Sequence, residues 1–391
     1  MEKKHYKLSD FVVAPSSSMI DPQSSSYDRF VGLEHYDTRE PVISRYSGKD
    51  ILSSTVKEFR QGDLLIARRN VYLERAGIAL FDGITSGDSI ILRVKNNCED
   101  ATGVPVKLAK RTLPFVLNSN SFWSFANRHA DGMNSKRISK DKLLEFEFNL
   151  PSVKEQELIS DKLWAAYELK QSYIKMIEAT DEMVKSQFIE MFGNPLSQVQ
   201  KFPLKRLGDC CELNPRRPRI NLSDTDLVSF VPMPCVSENG YMQDVADEEY
   251  GKVKKGFTYF ENKDVLFAKI TPCMENGKGA IAQELTNGIG MGSTEFHVLR
   301  PIEGKSNSYW LLALTRMPIF RERASKNMSG TGGQKRVGAP FLDNFMVGLP
   351  PIEEQNHFEV LYRQADKSKF ELRKSIESID RVIISIINDN Q

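Results

Sequence analysis

A chain of 391 residues with 40% apolar and 27% charged side chains is long enough for more than one buried core and has the composition of an ordinary globular protein. Its formal net charge of +1 argues against a uniformly basic nucleic-acid binder but leaves local basic clusters open. No apolar run approaches the roughly 18 residues of a bilayer span, which predicts no membrane segment, and the basic start "MEKKHYKLSDF" leads into no apolar stretch of a secretory signal. The cysteines (Cys98, Cys210, Cys211, Cys235 and Cys273) include no C-x-x-C pair, which points to a reducing, cytoplasmic setting.

Residues 1–150 carry short β-rich runs, "RFVGL", "GDLLIARR" and "SIILRV" among them, separated by clusters of Gly, Pro, Asn and Asp. These are strands joined by turns, and with intervening helical stretches they predict a mixed α/β domain. Residues 151–193 read as one long helix. From Ser152 to about Met191 there is no Pro or Gly, and Ile159, Leu163, Ala166, Tyr173, Ile177, Val184 and Met191 fit a heptad seam interrupted by Lys170 and Thr180. Pro151 and Glu155 suit the helix start, and Gly193-Asn194-Pro195 stops it.

Residues 194–349 predict a second α/β domain, with strands "KDVLFAKI" and "STEFHVLR", a helix in "SNSYWLLALTRMPIFRERAS" and a returning strand in "FLDNFMVGLP". Residues 350–391 predict a second long helix whose seam is Ala365, Leu372, Ile376, Ile379, Ile383 and Ile386. Each helix of about 38 residues would run to roughly 57 Å.

The two halves are copies of one unit. Displaced by 199 residues, Lys136-Arg137 falls on Lys335-Arg336, Leu150-Pro151 on Leu349-Pro350 and Glu155-Gln156 on Glu354-Gln355. "KLSDF" likewise meets "RLGDC", and at slowly drifting offsets "RFVGL" meets "SFVPM", "GDLLIARR" meets "KDVLFAKI" and "SGDSIILR" meets "STEFHVLR". Such drift is what loop insertions produce in a repeated structure. A long helix with an apolar seam is unstable alone in water, and the economical partner is the matching helix of the same chain. The fold class expected is α+β, two duplicated mixed α/β domains joined by two long helices in an antiparallel coiled coil with a pseudo-twofold axis.

Two related domains held at a fixed spacing suit a linear ligand, and duplex DNA matches protein two-folds with spaced half-sites. Lys201, Lys205, Arg206, Arg216, Arg217 and Arg219 stand against only Asp209 and Glu212 in "KFPLKRLGDCCELNPRRPR". In "GTGGQKR", Gly332 and Gly333 permit close backbone approach to a phosphate, while Gln334, Lys335 and Arg336 supply donors. Its counterpart "GMNSKR" offers Asn134, Ser135, Lys136 and Arg137, and Arg68 and Arg69 lie beside Tyr72 in "ARRNVY". Lys269 and Thr271, at the end of the second-copy strand, complete the candidate DNA-binding set.

Catalytic patterns do not emerge. The histidines show no metal spacing, there is no P-loop, and "NGIGMGSTEF" lacks a G-x-G-x-x-G. Asp63 and Asp264 recur at strand starts without a nuclease-like constellation. A binding protein is the better class; a fused enzyme, or a coiled-coil scaffold for other proteins, are the alternatives.

"LPPIEEQ" opening a heptad helix, "QFIEMFGNP" closing the central one, the "GDLLIARR" and "KDVLFAKITP" strands and "SGTGGQKRV" together resemble the specificity subunit of type I restriction-modification systems. The first half departs from the pattern with "LPSVKEQ" and "GMNSKR". The resemblance implies a non-catalytic reader of double-stranded DNA whose target recognition domains each read one half of a split, asymmetric sequence. It implies that Leu163, Tyr173, Ile177, Val184, Leu372, Ile376, Ile379, Ile383 and Ile386 form a helical spacer. It also implies two methyltransferase subunits bringing S-adenosylmethionine and restriction subunits bringing ATP and Mg, with no cofactor bound by this chain itself.

Overall fold

The computed structural model describes residues 3–15, 21–49, 52, 54–133, 135–194, 201–331 and 333–390; Asn134, Pro195 and Gly332 lie outside them. The chain divides into two compact units, Met1–Ile174 with Arg373–Gln391, and Lys175–Leu372.

The first unit holds β1 (Lys4–Lys7), β2 (Val12–Val13), β3 (Arg29–Val31), β4 (Val42–Ile43), β5 (Ser47–Gly48), β6 (Val56–Phe59), β7 (Leu64–Ala67), β8 (Ala76–Ala79), β9 (Gly83–Ser86), β10 (Ser89–Val94) and β11 (Glu147–Leu150). They form a sheet of order β2-β10-β7-β8-β4, a second of order β5-β3-β9-β6, and the pair β1-β11. Strand β7 is apolar and buried at every position because both its faces are covered. Leu64 and Ile66 point into a core shared with the helices Val106–Val116 and Asn120–Arg128, while Leu65 and Ala67 point into another with Val31, Phe59 and Ile91. That alternation is the two-residue period of a strand. Ser119 caps its helix by accepting from the Phe122 N–H.

The second unit holds β12 (Leu204–Arg206), β13 (Cys211–Leu213), β14 (Leu227–Val231), β15 (Ala246–Glu249), β16 (Thr258–Glu261), β17 (Val265–Ala268), β18 (Gly279–Ile281), β19 (Ile289–Gly292), β20 (Phe296–Pro301), β21 (Met328–Ser329), β22 (Arg336–Val337) and β23 (Met346–Gly348). Its sheets run β13-β20-β17-β18 and β15-β14-β19-β16, with pairs β12-β23 and β21-β22. Apart from β4, which has no counterpart in these sheets, the orders repeat those of the first unit, down to the parallel pairing of β14 with β19, which matches that of β3 with β9. Along β17, Val265 and Phe267 enter one core and Leu266 and Ala268 another.

Local chemistry is repeated as well. Asp63, 1% exposed, takes Arg93 in a two-pronged ion pair (2.7 and 2.6 Å), and Asp264, also 1% exposed, takes Arg300 in the same way (2.8 and 2.7 Å). Each aspartate also accepts from a backbone N–H three residues before it, that of Arg60 or Glu261. The recurring acids are therefore structural.

Two expected elements differ. The stretch "SNSYWLLALTRMPIFRERAS" forms two helices, Ser308–Arg316 and Pro318–Lys326, because Pro318 drives Met317 out of the helical region (φ −58, ψ 130). In "FLDNFMVGLP" only Met346–Gly348 is strand; Ala339–Asn344 is a short helix with Pro340 in its first turn, where a missing N–H is harmless.

The central helix spans Val153–Phe192 and the C-terminal helix Ile352–Asp389. In the first unit, Ile159, Leu163, Trp164 and Ala166 share a cluster with Ile379, Ile383, Ile386, Ile387 and Phe115. In the second, Phe188 and Phe192 meet Phe358 with ring centroids 5.5 and 5.4 Å apart. Early residues of one helix thus meet late residues of the other, which is antiparallel packing.

The seam is not the one expected residue for residue. Leu163, Ala365 and Ile383 are buried, but Tyr173, Ile177, Val184, Leu372, Ile376, Ile379 and Ile386 are half-buried. The closed positions also include Tyr167, Phe188, Phe192, Phe358 and Tyr362, since each helix packs against the core of its unit as well as on the other helix. Among the described residues no helix is long and apolar enough to cross a membrane.

Candidate nucleic-acid interface

In the second unit the turn before β22 is held against the end of β17 by main-chain bonds. The Thr271 N–H donates to the Lys335 carbonyl (3.0 Å), and the Val337 N–H donates to the Lys269 carbonyl (2.9 Å). The Lys269 N–H donates in turn to the Glu295 carbonyl (2.9 Å). Gly330 (φ +134) opens the turn, and a side chain there would meet the Gln334 carbonyl at 2.5 Å; Gly333 also has positive φ (+77). Gly333, Gln334 and Lys335 are exposed, while Lys269, Thr271 and Arg336 are half-buried. Gly332 is outside the described residues.

The first unit builds the same cradle. The Asn70 N–H donates to the Lys136 carbonyl (2.8 Å), the Ile138 N–H to the Arg68 carbonyl (3.1 Å), and the Arg68 N–H to the Asp88 carbonyl (2.9 Å). Here Gly132 (φ +115) opens the turn, so the first copy keeps one glycine where geometry demands it. Ser135 Oγ accepts from Arg69 Nε (2.9 Å) and donates to Asn70 Oδ1 (3.3 Å). Arg69, Lys136 and Arg137 are exposed; Arg68 and Ser135 are half-buried.

An acid sits inside each cradle, a feature the motif reading overlooked. Arg336 clasps Glu295 (2.7 Å), and Asp88, at the corresponding position, faces Arg137 (3.5 Å) and Arg69 (3.8 Å). The Arg336 guanidinium holds the Glu295 carboxyl below the usual carboxylate range. Beneath Arg68 lies Lys57, whose ammonium donates to the Gly87 and Ser89 carbonyls. Burial lowers its pKa, and Arg68 adds to the effect. Both turns therefore present cations in fixed positions, partly balanced by one carboxylate.

The arginine segment is joined to the second turn through a residue that spacing could not reveal. His297, 5% exposed, bonds through Nε2 to the Val337 carbonyl (2.8 Å) and through Nδ1 to Asn214 (3.1 Å). Asn214 immediately precedes Pro215-Arg216-Arg217. Arg216 is exposed, whereas the Arg217 guanidinium is turned aside to donate to the Lys254 carbonyl. No group of three or more His, Cys, Asp or Glu side chains among the described residues is disposed to hold a metal ion.

With this geometry in hand, comparison with known proteins is informative. The family described as "Type I restriction modification DNA specificity domain" matches residues 200–377. The specificity subunit of the type I restriction enzyme EcoEI from Escherichia coli is 40% identical over 142 residues, 35% of this chain and 24% of that protein. That of EcoAI, also from Escherichia coli, is 40% identical over 149 residues, 38% of this chain and 25% of that one. The alignments thus span about a quarter of the length of these curated relatives. In fold, the chain is similar to a solved chain from work on complex assembly and conformational transition of the type I R-M system. The TM-score is 0.52 at 17% identity, over 98% of this chain and 96% of that one. It is similar too to the S subunit of a type I system from M. genitalium, with TM-score 0.52 at 12% identity over 99% and 95% of the two chains. Residues 200–377 match the type I restriction modification DNA specificity domain family, and part of the chain is similar in sequence to the specificity subunits of two type I restriction enzymes.

Proposed function

We propose that this chain is the non-catalytic sequence-recognition subunit of a type I restriction-modification complex, reading a split, asymmetric target in double-stranded DNA. One observation carries the reading: the same main-chain cradle is built twice around a Lys-Arg turn, with different side chains in it. Arg69 in one copy corresponds to Ile270 in the other, and Asp88 corresponds to Glu295. A repeated scaffold with altered contact residues suits two different half-sites, since main-chain geometry positions the phosphates while side chains specify the bases.

In this reading residues 1–150 and 194–349 are the two recognition domains, and residues 151–193 and 350–391 are the spacer. Arg68, Arg69, Ser135, Lys136 and Arg137 serve one half-site. Arg216, Lys269, Thr271, Gln334, Lys335 and Arg336, with the backbone of Gly332 and Gly333, serve the other; Arg217 reaches DNA only after leaving the Lys254 carbonyl. Two methyltransferase subunits carry S-adenosylmethionine, and restriction subunits carry ATP and Mg; the complex works in the cytoplasm. The modest charge fits, because partner subunits can share the phosphate contacts that dominate affinity.

The test is methylation-motif sequencing of a host expressing this chain with its partner methyltransferase subunit. Two specified halves of different sequence, separated by a constant unspecified gap, are the expected outcome. An undivided motif, or methylation indifferent to this chain, sinks the reading.

A further inference from the structure

His297 stands at a position where the two copies differ in kind. Its counterpart in the first copy is Ile90, equally buried at 5% and packed in an apolar core. In the second copy a polar ring fills that place, and both its nitrogens have hydrogen-bond partners. The Val298 N–H donates to Asn214 Oδ1 (3.0 Å), which leaves Asn214 Nδ2 to donate to His297 Nδ1 (3.1 Å). Nε2 then carries the proton and donates it to the Val337 carbonyl (2.8 Å). The Asn214 N–H donates to the Val298 carbonyl (2.7 Å), which fixes Asn214 in its left-handed conformation (φ +52). A continuous line of hydrogen bonds therefore runs from Val337, which ends the Lys335-Arg336 turn, to Asn214, the root of the arginine segment.

An apolar residue would fill this volume without the cost of burying an imidazole, as Ile90 does. What the histidine adds is a rigid link between two backbone segments that are distant in sequence and share no main-chain ladder. We propose that His297 is a positioning residue of the second recognition domain: it locks the Lys335-Arg336 turn and the Arg216–Arg219 segment into one edge, so that both meet the same stretch of duplex phosphate. The proposal rests on the DNA-binding reading given above.

Three substitutions in the full chain separate the two arms of the link. His297→Ile copies the first unit and removes both arms. His297→Gln keeps a donor near the Val337 carbonyl, and His297→Asn keeps a partner for Asn214. Hydrogen exchange read by mass spectrometry should show faster exchange in His297→Ile at residues 211–219 and 328–338 together. Glutamine should restore protection to the turn alone, and asparagine to the arginine segment alone.

Binding of a short random-sequence duplex across a salt series is the second readout. His297→Ile should weaken it about tenfold at low salt and make the log–log slope shallower by roughly one to two, about 0.9 per lost phosphate contact. Unchanged exchange in both segments, or identical profiles for Gln and Asn, overturns the proposal. Exchange shifts as expected, with duplex binding unmoved in both His297→Ile and Lys335→Ala, leave the link standing and overturn the DNA-binding reading. Should His297→Ile fail to fold, the contrast between Gln and Asn still decides the matter, since each keeps one arm.

Discussion

Lys369 and Asp181 meet at 2.8 Å with the lysine side chain only 2% exposed, and Lys170 and Asp380 meet at the same distance within the other unit. Displaced by 199 residues, Lys170 corresponds to Lys369 and Asp181 to Asp380. Each long helix thus carries one lysine and one aspartate, and the antiparallel pairing matches each lysine to the aspartate of the opposite helix. A second carboxylate completes each site, Asp366 at 2.9 Å from Lys369 and Glu40 at 2.7 Å from Lys170. Burial works against both ammonium groups, but the facing carboxylates outweigh it and hold both pKa values above the ordinary lysine value.

Breaking such a site is costly because it strands a carboxylate at a half-buried seam. Lys369→Met is expected to destabilise the second unit by roughly 3 kcal/mol and to lower its melting temperature by several degrees. Adding Asp181→Leu should recover most of the loss, because a buried ion pair is often no more stabilising than apolar side chains of similar volume. Calorimetry at neutral pH checks both, and a single variant that melts with the parent removes the site from the stability account.

Arg336 is a positioned cation and not a free one, and Glu295 adds negative charge where phosphate would approach. Glu295→Gln removes the repulsion and releases the guanidinium. Affinity for random-sequence DNA at low salt should rise by about three- to tenfold with a steeper salt slope, while discrimination among sequences declines. Lys335→Ala should weaken all sequences alike, by about one phosphate contact in the same slope. Measured on one titration series, equal behaviour of the two variants would place neither residue at the DNA.

Much of this architecture was legible from sequence because it depends on local pattern. The four-residue apolar runs of β7 and β17 and the Gly- and Pro-free helices declare themselves, and repetition makes each block more certain. What escaped depends on contacts across long separations. Lys170 and Thr180 interrupt a heptad seam on paper, yet Lys170 belongs there because Glu40 arrives from 130 residues away. Phe188 and Phe358 lie off the seam and are fully buried because a domain core covers them. The Glu295 partner of Arg336 sits 41 residues upstream, in the turn that leads into β20. His297 looks like any strand residue until Asn214 and Val337 are placed beside it.

Acid should loosen the second turn before it affects the first. Burial lowers the pKa of His297 below the ordinary histidine value, with the Val337 carbonyl and Glu295 opposing and Lys269 reinforcing the shift. The unfolded state therefore binds the proton more readily, so the contribution of His297 is fully present above about pH 6.5 and is lost as pH falls below it. Protonation also puts an N–H on Nδ1 opposite the Asn214 amide N–H (3.1 Å), so Nδ1 must turn to Asn214 Oδ1 (3.3 Å), which already accepts from the Val298 N–H. Duplex affinity should fall as pH drops below about 6.5 in the parent and stay flatter in His297→Ile. Parallel profiles would assign the acid sensitivity to other groups.

The proposed helical spacer makes the sharpest prediction. Four residues inserted between Ile174 and Lys175, with four more between Leu372 and Arg373, lengthen both helices by about 6 Å and turn each by roughly 40° beyond a full turn. Inserting into both keeps each lysine opposite its aspartate, since Lys170 with Asp380 and Asp181 with Lys369 lie on the same sides of the two insertions. At about 3.4 Å per base pair, the unspecified gap of the target should grow by roughly two base pairs while both half-sites keep their sequence. Insertion into the central helix alone shifts the two seams out of register, which coiled coils accommodate only by local unwinding, and should cost stability as well as activity. Methylation-motif sequencing reads the gap directly; an unchanged gap in the doubly lengthened protein would show that the helices do not set the spacing.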